Sequence, residues 1–184
     1  MTRVGHKGVN GIVKTYSGEP NVEARIEQPY VGIPIVAGKS DWEKVNGLIG
    51  ELFDWLKAKN IKPAGTPFFR YWCLEDAEGK YKMEVGVPVH RMVTGNERVV
   101  CSYIPGGTYV TAVHTGHPDE LENLLQAVEK WAQDEQLAID KRWEGEAEIW
   151  NGRFEFYVTD SEAQSDWNKW AIEIAFLLVR DDAA

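Results

Sequence analysis

The stretch Phe154-Glu155-Phe156-Tyr157-Val158-Thr159-Asp160 is followed closely by Trp170-Ala171-Ile172-Glu173-Ile174-Ala175-Phe176-Leu177-Leu178. β-Branched and aromatic residues dominate both, and their polarity alternates with period two, which predicts two strands. In the first, Phe154, Phe156 and Val158 share one face, and Glu155, Tyr157 and Thr159 the other. In the second, Ile172, Ile174, Phe176 and Leu178 form an apolar face, with Ala171, Glu173, Ala175 and Leu177 opposite. A face that sets a carboxylate beside a phenol and small residues predicts the floor of a pocket.

Working outward, the chain repeats itself. Val22, Ala24 and Ile26 alternate in a strand that breaks at Gln28-Pro29 and resumes as Tyr30 to Val36. Ser40-Asp41-Trp42-Glu43 has capping-box spacing, with Ser40 as the N-cap. The helix it opens carries Val45, Leu48, Ile49, Leu52, Phe53 and Leu56 at intervals of three and four, and stops before Pro63. Strands Phe68 to Leu74 and Lys82 to Val89 then form a hairpin around the acidic turn Glu75 to Lys80. The same order follows again. A strand at Arg98 to Tyr103 breaks at Pro105-Gly106-Gly107 and resumes at Thr108 to Val113, a helix begins near Pro118, and the two opening strands close the unit.

Spacing supports a duplication. Pro29 and Pro105 lie 76 residues apart, as do Trp55 and Trp131; Tyr71 and Tyr157 differ by 86, and Glu84 and Glu173 by 89. The second copy therefore holds about ten extra residues, in Asp140 to Arg153. The predicted fold class is α+β: duplicated βαββ units with pseudo-twofold symmetry, one antiparallel sheet, two helices on one side and a ligand groove on the other. The domain spans residues 22–182, with half-repeats at about 22–90 and 97–180, behind an N-terminal arm at 1–21 that reads as flexible.

Composition narrows the function. The 184 residues suit one domain, and eight tryptophans exceed what a core of that size requires. A net charge of −9 repels phosphate backbones, so no direct contact with nucleic acid is expected, while approach of cations is favoured. Cys73 and Cys101 lack metal or redox spacing and read as reduced core residues. No leader-like or membrane-length apolar run is visible, which predicts a cytoplasmic protein without membrane contact.

If Tyr71 matches Tyr157, Phe69 and Tyr71 share the open face with Glu155 and Tyr157. Glu84, Gly86 and Pro88 would join them from the first hairpin, and Glu173 and Ala175 occupy the matching places in the second. The small residues leave a hollow walled by rings and floored by carboxylates, which suits a flat hydrophobic cation. Arg70 falls on the helix side in this parity. Trp143 and Trp150 flank the acidic run Glu144 to Glu148, read as a solvated loop, and could close over the hollow. His114-Thr115-Gly116-His117 with Asp119 has a loose metal-ligand look, but His117 is placed to cap the helix at Pro118, so no metal and no cofactor is expected. Pro105-Gly106-Gly107 reads as a bulge.

In order and wording these stretches resemble the GyrI-like (DNA-gyrase-inhibitor-like) effector-binding family. The likeness is carried by Trp42 to Asn60 with its Leu-Phe-Asp-Trp-Leu centre, Gly65 to Tyr71, and Met83 to Val89. It continues through Ile104 to Tyr109, His114 to His117 and Phe154 to Tyr157, about residues 22–179 in all. The resemblance implies a groove between two βαββ units, with Glu155 as the acidic residue that meets cationic ligands and Tyr157, Tyr71 and Tyr109 lining it. Departures are Ile172 where many members have Thr, Leu177 where many have Pro, and the longer insertion at Asp140 to Arg153.

Three functions follow as expectations. One is binding of aromatic, often cationic, small molecules for drug or toxin sequestration or sensing, without a DNA-binding segment of its own. A second, implied by family members that hydrolyse cyclopropane-bearing DNA-alkylating natural products, makes Glu155 and Tyr157 catalytic. The third is contact with DNA gyrase or a regulator protein.

Overall fold

The computed structural model describes residues 18–76, 78–160 and 164–180, together with the backbone of 5–7 and 13–15. Strands β1 (Gly5–Lys7) and β2 (Val13–Thr15) pair as a separate antiparallel ladder. The rest of the expected N-terminal arm up to residue 17 lies outside the described residues.

The first half contains β3 (Asn21–Arg25), β4 (Gln28–Ala37), α1 (Trp42–Ala58), β5 (Phe68–Leu74) and β6 (Tyr81–Pro88). The second contains β7 (Val100–Ile104), β8 (Gly107–Thr115), α2 (Leu121–Asp134), a hairpin of β9 (Lys141–Glu144) and β10 (Ala147–Trp150), then β11 (Arg153–Tyr157) and β12 (Ala171–Leu177). The main path of the sheet runs β3-β8-β12-β11-β5-β6-β4-β7. Exchange β3, β4, β5 and β6 for β7, β8, β11 and β12, and the order reads the same in reverse. The pseudo-twofold axis therefore passes between β11 and β5. Across that seam Glu155 pairs with Phe69, its own counterpart in the repeat, so Glu155 sits on the axis. The halves also exchange their outer strands, since β3 pairs with β8 and β7 with β4.

Both helices end alike. Asn60 and Gln136 adopt left-handed φ of 55° and 60°, and the next amides, Ile61 and Leu137, donate to the carbonyls of Leu56 and Ala132 at 2.9 and 2.8 Å. The strands use a different offset from the helices. Tyr30 opposes Pro88 and Tyr109 opposes Leu177, so these tyrosines are equivalent, and the Pro29–Pro105 match is not structural. The chain enters α1 through a 3₁₀ turn at Lys39–Asp41 rather than at Ser40: the Gly38 amide donates to Asp41 Oδ2 at 2.7 Å. Before α2 the expected His117 cap is present on the 3₁₀ turn Pro118–Glu120 that leads into the helix, with His117 Nδ1 accepting from the Asp119 amide at 3.2 Å.

Both helices lie on one side of the curled sheet. Val45, Leu48, Leu52 and Leu56 of α1 share a cluster with Val31, Ile33, Met83, Val85 and Val87 of β4 and β6, and Phe69 lies at its edge toward the centre of the sheet. Leu121, Leu125 and Val128 of α2 pack on Val110, Ala112, Ile172, Ile174 and Phe176. The sheet's other face holds a third cluster of Tyr30, Phe68, Ile104, Tyr109, Phe154, Ala175 and Leu177.

Two sequence expectations are corrected here. Phe69 opposes Val85 and Glu155 opposes Ile174, and directly opposed residues share a face. Phe69, Tyr71, Glu155 and Tyr157 therefore point toward the helices, whereas Phe68, Arg70, Phe154 and Phe156 point away. A one-residue error in parity between adjacent strands turns a whole strand over. The segment Glu144 to Glu148 is also not simply a loop. It comprises the end of β9, the turn and the start of β10 in a hairpin whose β10 extends the sheet beside Leu74 and Cys73 of β5.

Candidate functional site

A groove of about 1770 Å³ lies at the pseudo-twofold axis, on the helix side of the sheet and between the two helices. Its floor is formed by β5 and β11, where the sheet is not covered by either helix. Asn46, Ile49, Phe53 and Asp54 of α1 face Leu121, Glu122, Leu125 and Gln126 of α2 across it. The groove thus lies on the side opposite to that expected from the sequence, because the apolar stripes of α1 and α2 cover the outer strands and leave the central pair open.

Glu155 lies at the middle of the floor and is only 5% exposed. Tyr71 donates its hydroxyl to Glu155 Oε2 at 3.1 Å. Burial pushes the Glu155 carboxyl above the usual range; the Arg153 guanidinium and the Tyr71 hydroxyl pull it part of the way back, and Glu122 adds to the rise. Burial also holds the Tyr71 and Tyr157 phenols well above their ordinary value, so both remain hydrogen-bond donors at neutral pH.

Rings enclose this carboxyl. Tyr157 meets Phe69 edge-on at 4.9 Å, Phe69 stacks on Trp42 at 6.2 Å, and Tyr81 closes on both Trp42 and Tyr71 at 6.0 and 6.2 Å. At the rim stand Trp143, 66% exposed, and Trp167, 52% exposed. Trp167 stacks between His117 and Trp170, at 5.4 Å from each. Nine of the groove's lining residues are acidic against two basic ones, Lys39 and Arg153, so its field favours positive charge.

Of the residues singled out from sequence, the groove brings together Glu155, Tyr157, Tyr71, Phe69 and Trp143. It does not include Glu84, Gly86, Glu173, Ala175 or Tyr109, which the ladder registers put on the opposite face. There the Tyr30 hydroxyl donates to Glu84, and burial pushes that phenol up to about 12. Arg70 Nη1 donates to the Tyr103 carbonyl at 3.0 Å, and its guanidinium lies 3.6 Å from the Trp72 ring centre. Glu173 accepts from Arg25 at 2.7 Å, and the Tyr109 hydroxyl donates to the Pro105 carbonyl at 2.6 Å. The expected hollow around Gly86 is filled, because a Cβ there would come within 2.4 Å of Phe68 Cζ. Trp150 is fully buried beside Phe176 and does not reach the rim.

Sequence reading missed Trp42, Tyr81 and Arg153 as lining residues. Arg153 carries a usable signal, since it stands two residues before Glu155 on the same strand and so shares its face. Among the described residues no group of three or more His, Cys, Asp or Glu side chains is placed to hold a metal ion, and His114 Nε2 lies 2.8 Å from the His117 carbonyl. Cys73 is buried and Cys101 half-buried; both are free thiols. Among the described residues no helix is long and apolar enough to cross a membrane.

Residues 33–175 match a family described as the GyrI-like small molecule binding domain. No curated protein matches the chain. Among solved structures, the chain is similar to EcmrR in an EcmrR–DNA complex within EcmrR-RPo, at 20% identity and a TM-score of 0.72, covering 88% of this chain and 57% of that one. This chain thus spans little more than half of that relative. It is also similar to the isolated EcmrR C-terminal domain, at 20% identity and a TM-score of 0.69, covering 88% of this chain and 98% of that one. A third similar structure is SAV2435 bound to tetraphenylphosphonium, at 13% identity and a TM-score of 0.54, covering 88% and 94%. These likenesses establish a shared fold.

Proposed function

Since the chain belongs to the GyrI-like small molecule binding domain family, we propose that the groove between α1 and α2 binds an aromatic, positively charged small molecule, with Glu155 as its counter-charge. One observation carries this reading: a carboxyl only 5% exposed lies on the pseudo-twofold axis at the bottom of a ring-walled, acidic groove. Among aromatic rings its ionised form is poorly hydrated, so it gains more from an incoming cation than an exposed glutamate would. The rings supply apolar area and attract positive charge through their faces. Sequestration or sensing of such compounds is the corresponding role.

Calorimetric titration with tetraphenylphosphonium and with its isosteric anion tetraphenylborate tests the proposal. The cation is expected to bind at least about tenfold tighter, since close charge pairing in a partly desolvated site is worth more than a kcal/mol. Equal affinities, or a preference for the borate, would overturn it.

A second reading is favoured by the Tyr71–Glu155 contact. A carboxyl held above its usual range, beside a phenol donor, can as the acid protonate the acceptor that receives the electron pair of the breaking ring C–C bond, or as the carboxylate take the proton of the water that adds to the ring carbon. Hydrolysis of a cyclopropane-bearing alkylating compound would show as a ring-opened product about 18 mass units heavier, through addition of water, after incubation with the protein. Recovery of intact compound from stoichiometric protein excludes that reading and leaves the first standing.

A further inference from the structure

Arg153 is a buried charged group in the groove that the binding reading does not use. It is 6% exposed and lines the cavity. Its charge rests on rings: the guanidinium carbon lies 5.1 Å from the centres of Tyr71 and Trp150 and 5.5 Å from that of Phe176. Among the described residues the structure records no hydrogen bond of the guanidinium to another side chain or to the backbone. Nε meets no acceptor, and the guanidinium takes part in no ion pair among the described residues.

Neighbouring carboxylates of the groove have other hydrogen-bond partners, and Glu155 feels the Arg153 charge without a hydrogen bond from it. Lys141 holds both Glu129 and Glu148, at 2.5 and 2.6 Å. Glu122 accepts from Gln126 at 3.0 Å, and Glu155 accepts from Tyr71. A buried guanidinium is normally hydrogen-bonded, because its desolvated N–H groups otherwise lose their water without replacement. Its planar fork matches a carboxylate or a similar oxygen pair. Two residues along a strand set Arg153 and Glu155 about 7 Å apart on the same face, a distance that a flat aromatic molecule spans.

We infer that Arg153 is the second polar anchor of the groove and takes an acceptor oxygen, a carboxylate or phenolate, on the same aromatic molecule whose cationic end lies against Glu155. The ligand class is then a zwitterionic aromatic rather than a simple lipophilic cation. This rests on the groove being the binding site, as proposed above, and sharpens what it selects.

The test uses a rhodamine cation in two forms, the free carboxylate and its methyl ester, titrated by fluorescence anisotropy beside tetraphenylphosphonium. Wild type is expected to bind the free carboxylate about tenfold tighter than the ester, the scale of a charge-assisted fork. Arg153→Met is expected to abolish that preference through loss of affinity for the free carboxylate, because the ester makes no paired contact with the fork. Arg153→Lys, which keeps charge and stem but loses the planar fork, is expected to retain a preference of about threefold and serves if the methionine variant does not fold. An ester that binds as well as or better than the acid in wild type overturns the anchor while leaving the groove's function intact. So does an equal loss of both forms in Arg153→Met, the mark of a packing role. If wild type binds neither rhodamine form nor tetraphenylphosphonium, both the anchor and the binding reading fall.

Discussion

Replacing Glu155 by Gln is expected to weaken tetraphenylphosphonium binding between about ten- and a hundredfold, or roughly 1.4 to 2.8 kcal/mol, while tetraphenylborate affinity stays level or rises. Glutamine fills the same volume and can still accept from Tyr71, so what is removed is charge. The wild-type pH profile provides an independent check. Burial raises the Glu155 pKa, and a bound cation favours the ionised form, so cation affinity should climb as pH rises toward that raised pKa and level off above it. In Glu155→Gln the climb should be absent. Ligand-free stability should move the other way. A carboxyl whose folded pKa lies above its unfolded value, about 4.3, holds its proton more tightly when folded. Stability is therefore lost as pH rises through the interval between the two values. Glu155→Gln escapes that loss, so its melting temperature should exceed wild type at neutral pH and converge with it near pH 4. A variant that loses cation and anion binding alike, or melts lower at every pH, would show that Glu155 is structural.

The duplication was legible in the sequence because it is written in element order and in paired residues such as Trp55 with Trp131 and Tyr71 with Tyr157. It predicted a sheet symmetric about its centre, and the strand order has that symmetry. Facing was less legible. Each strand's alternation is visible, but nothing within Phe68 to Leu74 says which of its two faces aligns with Met83, Val85 and Val87, since both are aromatic. The pairing of Phe69 with Val85 decides it, and that contact is long-range. The duplication held an unused clue: two equivalent strands that meet on a dyad must pair about equivalent residues, here Phe69 and Glu155. Arg153 was hidden differently. It opens β11, and the 86-residue offset matches it with Pro67, so the repeat shows no second basic residue to mark the position. Tyr109 sits at a position the family resemblance placed in the groove, yet its ladder position beside Leu177 turns it to the other face.

The insertion at Asp140 to Arg153 gives the second large effect, a contrast between its two tryptophans. Trp150→Ala is expected to cost about 3–5 kcal/mol, the range for emptying a large aromatic site in a core. Its ring is wholly buried, 5.0 Å from Phe176, with Lys141 Nζ 4.6 Å and the Arg153 guanidinium 5.1 Å from its centre. At this chain length such a loss lowers the melting temperature by roughly 6–20 °C. Trp150→Phe should recover much of it, because Nε1 has no hydrogen-bond partner to lose. Trp143 lies across the hairpin from Glu148 and is 66% exposed at the groove rim. Trp143→Ala should therefore shift stability by less than about 0.5 kcal/mol while weakening tetraphenylphosphonium severalfold through loss of a ring face. Equal melting temperatures for the two alanine variants would show that Trp150 is not the pin of the hairpin. Unchanged binding in Trp143→Ala would remove that ring from the site. The hairpin's inner tryptophan fixes it to the sheet and roofs Arg153, which leaves the outer one free to meet a ligand.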